Sequence, residues 1–380
     1  MRHIAVNILL LLSLSAPARS QVFNHARVVV KDSTIYSKIF DGSVSVPVVT
    51  NAMNVYYRPS NVLKYPVRVA IDPGHIAGNW EEAYLEGHFI ENRKEKVRFF
   101  ESELTMATAL TLKRKLEADG YLVMMTRNWR EGANGKSFTK WFKSDFRKQL
   151  AADLESGAID SSRYHRLAAA SRAEVFESYY RILDLKERAK KINLFKPDIT
   201  VIIHYNTSEF TAKRGEDAPI CENNFSSYFI PGGFTLAELS SSSQEQDIFR
   251  LLSTNTVERS ARLSDCVARE FKKSFSLPDL TISDTATVAA DVPWLKHFAS
   301  ATTFPSVFGR NLYLTRVVRS PLVYGEPFLQ NNRKMVHELN RRDYKIDGLK
   351  TSPVVPIAAQ CYYNGILRYL KEGNFSVVFE

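Results

Sequence analysis

The chain reads as an α/β protein built on a parallel sheet, and three stretches carry that reading. An apolar run from Val67 to Ile71 ends in Asp72-Pro73-Gly74-His75, a helix-period segment leads into a second run from Tyr121 to Thr126, and a third run, Ile199 to Ile203, ends in His204. Near-continuous apolar strands between helices are what a sheet covered on both faces requires. Strand, helix, strand order implies parallel pairing through a right-handed crossover. With 380 residues at 44% hydrophobic content, one large domain with decorations is the simplest account.

In chain order, Arg2 and His3 precede an apolar stretch from Ile4 to Leu14, and Ser15-Ala16-Pro17-Ala18-Arg19-Ser20 supplies small residues for cleavage. Residues 1–20 therefore read as a secretory signal, the apolar part being short for a bilayer span. The mature chain is expected to be exported to the periplasm or cell envelope, or secreted, with no stable membrane span. Residues 21–64 carry the β-branched runs Ala26 to Val30 and Val44 to Val49, the second demoted by Pro47 to an edge strand at best. They suggest a small N-terminal β appendage or a pro-segment, and residues 65–375 the main domain.

After the first strand, Met106, Ala109, Leu110 and Leu116 recur at helical intervals from about Ser102 to Asp119, and Gly120 fits a left-handed cap. A charged stretch of about residues 129–180 lacks strand patterning and reads as a helical insertion, placed where it would gate access to a site. A helix around Leu185 to Asn193 leads through Pro197 to the His204 strand. Ser226 to Ile230 suggests a strand, Ser240 to Ser243 a surface loop, and Asn255 to Phe275 an amphipathic helix carrying Val257, Ala261, Ala268, Phe271 and Phe275. Leu312 to Val318 and Leu322 to Tyr324 read as the last strands. Ala359, Tyr363, Ile366, Leu367 and Leu370 mark a closing helix.

Fifty-one basic against 41 acidic residues give +10, or about +8 once Arg2 and Arg19 leave with the signal. That charge favours an anionic partner such as a wall polymer. Cys221, Cys266 and Cys361 allow at most one internal disulfide, require none and match no zinc motif. No Gly-x-Ser-x-Gly elbow occurs, which argues against serine-hydrolase chemistry. Aromatic residues among basic ones at Trp141 to Phe146 are explained by a packed helix face, so no nucleic-acid partner is expected.

Two histidines at strand ends suit a catalytic zinc, which takes three protein ligands and keeps a position open. A carboxylate must complete the set. Glu101 and Glu103 open the first long helix, and either fits; each also suits a helix N-terminus on charge grounds alone. His88, in the insertion between His75 and Glu101, either enters the site or is a solvent-facing loop histidine, and His165, His297 and His337 read as ordinary surface or core residues.

Arg68 to His75 resembles the opening of the zinc-dependent N-acetylmuramoyl-L-alanine amidases, which cut peptidoglycan between muramic acid and L-alanine. Glu101 to Met106 resembles the second-ligand motif of that family, favouring Glu101. Met125-Thr126-Arg127, Leu185 with Arg188, and Ile202 to Asn206 resemble later segments, the last carrying the third ligand. Pro321 to Asn331 resembles the late strand with the catalytic glutamate. The resemblance spans roughly Val67 to Leu370 and implies a twisted, mainly parallel sheet flanked by helices, Zn2+ at His75, Glu101 and His204, Glu326 as general base, and peptidoglycan as partner. Asp72 is either a supporting hydrogen-bond partner or a strand-end turn residue; Asn206 and Arg310 either hold substrate or serve structure.

The sequence departs from the family in the long gap between His75 and Glu101, in the helical segment before Leu185, and in the short Glu326-Pro327-Phe328 interval. Two alternatives stay open: an inactive peptidoglycan-binding protein on the same scaffold, and a zinc peptidase acting within the stem peptide. Oligomeric state is not legible.

Overall fold

The computed structural model describes residues 62–380 except 209, 211, 236–237, 239–241, 374–375 and 380. The signal segment and nearly all of the β appendage thus lie outside the described residues. Strand β1 (Val62–Tyr65) is followed by β2 (Arg68–Pro73), α1 (Trp80–Glu86), the hairpin β3 (Phe89–Asn92) and β4 (Val97–Phe100), α2 (Glu101–Ala118) and β5 (Leu122–Met125). Helices α3 (Phe138–Ser144), α4 (Phe146–Glu155) and α5 (Ser161–Ala169) come next. A short helical turn and a π segment, Phe176–Tyr180, then run into α6 (Arg181–Phe195) and β6 (Ile199–Ile203). The remainder holds β7 (Ser227–Ile230), α7 (Thr256–Phe275), β8 (Ala299–Ala301), β9 (Val307–Arg310), α8 (Tyr313–Val317), β10 (Leu322–Glu326), α9 (Arg333–Asn340) and α10 (Val354–Glu372). The fold is α/β with mostly parallel strands flanked by helices.

Contacts divide the chain into two compact units, residues 68–224 with 328–360, and residues 1–67 with 225–327 and 361–380. In the first unit β2 lies between β5 and β6, both parallel to it, in the register Ile71↔Met125 and Asp72↔Ile202. Val69, Ala70, Ile71 and Asp72 on β2 and Ile199 to Ile203 on β6 are fully buried. That burial accounts for the unbroken apolar runs. Helix α2 packs on β2 and β5, and its Leu104, Met106, Ala109 and Leu112 are fully buried.

Phe138, Trp141, Phe146, Leu150, Val175, Phe176, Tyr179 and Tyr180 of the insertion close a second core around Ile76, the residue after His75. The insertion is therefore helical and seated against the loop that follows β2.

In the second unit β10 pairs antiparallel with β7, β7 parallel with β9, and β8 antiparallel with β9. Helix α7 packs against β10 and β7, and Ser260 Oγ accepts the Leu322 N–H at 3.0 Å. Gly325 has no room for a side chain, since an added Cβ would lie 2.1 Å from the Tyr362 hydroxyl. Leu312 to Val318, read above as a strand, is instead helix α8. The Thr315 hydroxyl folds back on its own turn, donating to Arg310 O and accepting the Leu312 N–H at 3.1 Å, so local capping overrides the β-branched composition. The β1 strand pairs in parallel with a strand at Ser376–Phe379. Among the described residues no helix is long and apolar enough to cross a membrane, and no disulfide joins the three cysteines.

Candidate metal centre

All the donors predicted to hold the metal lie in the first unit. His75 follows β2 with φ of +60°, a left-handed conformation that side-chain-bearing residues seldom adopt. The loop is held there from outside. Arg188 on α6 donates to Pro73 O at 2.7 Å and His75 O at 2.6 Å; Arg127, after β5, donates to Pro73 O at 3.0 Å and Gly74 O at 2.9 Å. Thr105 Oγ1 donates to Gly74 O at 2.8 Å. Gly74 is obligatory, because a Cβ would fall 2.4 Å from the His204 ring.

Glu101 opens α2, and His204 ends the run of β6. His75 Nε2 lies 2.8 Å from Glu101 Oε1 and 3.0 Å from His204 Nδ1, and His204 Nδ1 lies 3.2 Å from Glu101 Oε1. Bonds of about 2.0–2.1 Å in a tetrahedral site place ligand atoms ~3.3 Å apart, so these separations fit one zinc ion. The carboxylate is fixed by the Tyr205 N–H on Oε1 at 2.9 Å and by Gln330 Nε2 on Oε2 at 3.0 Å. Gln330 also donates to Tyr205 O at 2.8 Å.

The charges converge on the same point. Burial works against a charged His75, yet the Glu101 and Glu86 carboxylates outweigh it and raise its pKa to about 10. Burial lowers His204 to about 4. Burial would raise Glu101, but His75, His204 and His88 hold it well below the usual carboxylate range. Without metal, then, a proton on His75 Nε2 is shared by two acceptors that would otherwise repel at 3.2 Å. Two lone pairs aimed at that proton, with the nitrogen that carries it, form a donor set for a cation once the proton leaves.

Two residues the sequence left without a role complete the surroundings. Glu86, the last residue of α1, faces His75 Nδ1 at 3.3 Å and accepts the Ile76 and Ala77 N–H groups at 3.0 and 3.1 Å. Its carboxyl is pulled down to about 2, because the His75 charge more than offsets burial. Holding Nδ1 in this way leaves Nε2 free to face a metal ion, the usual arrangement for ligating histidines. His88, which the sequence leaves either entering the site or facing solvent, is partly exposed and stacks on His75 with ring centroids 3.9 Å apart, its Nδ1 3.7 Å from Glu101 Oε2.

Glu103 does not join the donors; it pairs with Arg342 at 3.5 Å. Asp72 is buried and reaches neither a ligand nor the loop backbone. It accepts from Thr126 Oγ1 and, at 3.1 Å, from Arg188, so its support for the loop passes through the arginine. Asn206 O accepts the Gln330 N–H at 2.7 Å, which makes Asn206 a brace for the residue that holds Glu101.

Glu326 and Arg310 belong to the second unit. Glu326 ends β10 opposite Ser227; Arg310 lies 4.1 Å over Trp294, its pKa lowered by burial against the pull of Tyr324 and Glu326.

A sequence model of the N-acetylmuramoyl-L-alanine amidases matches residues 69–350, well over half of the chain. The chain belongs to this amidase family. No curated protein matches it. Among solved structures it is similar to the CwlD amidase of Clostridioides difficile in complex with the GerS lipoprotein, at 17% identity over 80% of this chain and 99% of that one, with a TM-score of 0.42. It is also similar to the amidase Ami1 of Mycobacterium smegmatis (13% identity, 80% and 97% covered, TM-score 0.41). The amidase AmiC2 of Nostoc punctiforme is a third (12% identity, 81% and 99% covered, TM-score 0.39). Each residue of the metal centre falls inside the matched range.

Proposed function

We propose that the chain is an exported, zinc-dependent amidase that hydrolyses the bond between N-acetylmuramic acid and L-alanine in peptidoglycan. Family membership supports the substrate class, and the 2.8–3.2 Å convergence of His75, Glu101 and His204 carries the metal assignment. His75 Nε2, His204 Nδ1 and Glu101 Oε1 would hold the ion, two neutral donors with one anionic. When bound, zinc supplies Lewis acidity that polarises the scissile carbonyl and eases deprotonation of the attacking water.

The protein's own groups do the rest. Glu86 keeps the His75 tautomer that presents Nε2, while Gln330 and the Tyr205 N–H keep Glu101 Oε1 aimed at the two imidazoles. Glu326 is assigned as general base, taking the water proton and returning it to the departing L-alanine amine, a role that rests on its match to the late glutamate of the family. Arg310, whose charge is felt at Glu326, is assigned to holding substrate. The signal at residues 1–20 is the proposed route to the envelope, and the surplus of basic residues suits an anionic wall.

Purified protein incubated with wall sacculi should release stem peptides with free L-alanine amino termini, stop with a chelator and resume with zinc. Glycan or stem-peptide cleavage products in place of free L-alanine termini would overturn the assignment.

A further inference from the structure

The gap between His75 and Glu101 is long because it holds α1 and the β3–β4 hairpin, and the hairpin register has a chemical consequence. Phe89 pairs with Phe100, Ile90 with Phe99, Glu91 with Arg98 and Asn92 with Val97. One step further along the same ladder, His88 stands opposite Glu101, and the His88 carbonyl accepts the Glu101 N–H at 3.1 Å. Gly87 makes the approach possible: with φ of +74° it ends α1 in a left-handed cap and turns the chain directly into β3. The hairpin thus delivers a third imidazole to the carboxylate that the other two share. Single donor atoms of His75, His88 and Glu101 all lie within 4.8 Å of one another.

We propose that His88 is a fourth protein donor to the metal, occupying the remaining position when no substrate is bound. The inference rests on the zinc reading of His75, Glu101 and His204. The half-exposed His88 side chain, 45% accessible against 10% for His75 and 12% for His204, suits a donor that swings off the metal while the other imidazoles stay fixed. A catalytic zinc needs an open position, so departure of His88 is the step that opens it to water and the scissile carbonyl. The hairpin is then both an anchor for Glu101 and the carrier of a displaceable ligand.

The test uses the full chain, stripped of metal and reloaded with Zn2+ or Co2+. X-ray absorption at the metal edge is expected to count three imidazoles in the parent and two in His88→Ala. The cobalt visible spectrum should change on that substitution, and chelator competition should show zinc held about tenfold or more weaker. His88→Gln should match His88→Ala in imidazole count, and matching circular dichroism and melting of the metal-free proteins exclude misfolding. Two imidazoles in both parent and variant, with zinc affinity within twofold, would overturn the role of His88 while leaving the zinc centre intact. A parent that takes up no zinc, or that keeps it in Glu101→Ala, would overturn the centre and this inference together.

Discussion

Replacing Glu86 with glutamine should loosen the metal centre while leaving the chain folded. Glu86 Oε1 faces His75 Nδ1 at 3.3 Å and accepts from Ile76 N at 3.0 Å, and Oε2 accepts from Ala77 N at 3.1 Å. A glutamine can place its carbonyl on one side only. With the carbonyl toward His75 and Ile76, its NH2 opposes the Ala77 N–H, and one buried donor loses its acceptor at about 1–3 kcal/mol of folding stability. The lost charge also removes one of the two carboxylates that favour a positively charged His75. Loss of a partner that orients a ligating histidine weakens metal about 10–100-fold, or ~1.4–2.7 kcal/mol. Chelator competition measures the zinc affinity, and melts with and without zinc separate that loss from the change in folding. Zinc affinity within twofold of the parent would refute the idea that Glu86 sets the His75 tautomer.

Other outcomes follow from the same geometry. Because metal-free His75 holds its proton up to about 10 while His204 is neutral above about 4, zinc uptake at neutral pH should release about one proton. Apparent affinity should then rise about tenfold per pH unit between roughly 6 and 9; a flat profile measured by chelator competition counts against the shared proton. Arg188→Leu strands the buried Asp72 and Asp184 carboxylates and should cost about 3–5 kcal/mol in denaturant unfolding, with less than 1 kcal/mol ruling the clamp out. Glu326→Gln should cut peptide release about 10²–10⁴-fold at unchanged zinc affinity, and turnover within tenfold of the parent would remove it as the base. Phe138→Ala opens a cavity in the core around Ile76 and should cost about 3–5 kcal/mol, with zinc affinity falling too if that core braces His75; unaltered affinity would separate the insertion from the centre.

What was legible in the sequence was whatever repeats or runs unbroken. Strands β2 and β6 are buried on both faces, so their apolar runs are continuous and their terminal histidines stand out. Helix α2 announced itself by its period and by Gly120. The β3–β4 hairpin was hidden because its turn, Asn92 to Lys96, dominates the local composition with charge, while Phe89, Ile90, Phe99 and Phe100 sit in pairs on either side. Asn92 Oδ1 accepts the Glu95 N–H at 2.9 Å, a turn lock that no periodicity reveals. Glu82, Glu86 and Gln330 were unassigned for another reason: their partners include backbone groups in loops, and the spacing of residues carries no trace of those bonds.

The two insertions that lengthen this chain relative to its resemblance bear together on the loop that carries His75. Between His75 and Glu101, α1 brings Glu86 to His75 Nδ1 and Glu82 to the Gly78 N–H at 3.1 Å. The second insertion reaches the same loop twice, through its core around Ile76 and through Thr139, whose N–H and hydroxyl both bond Glu82 at 3.0 and 2.9 Å. A segment meant only to gate a site would keep few buried contacts with it, since moving away must cost little. Phe138, Phe176 and Tyr180 are fully buried in the core that holds Ile76, so lifting these helices would expose aromatic surface worth several kcal/mol. Bracing His75 in its left-handed conformation is the role this packing fits.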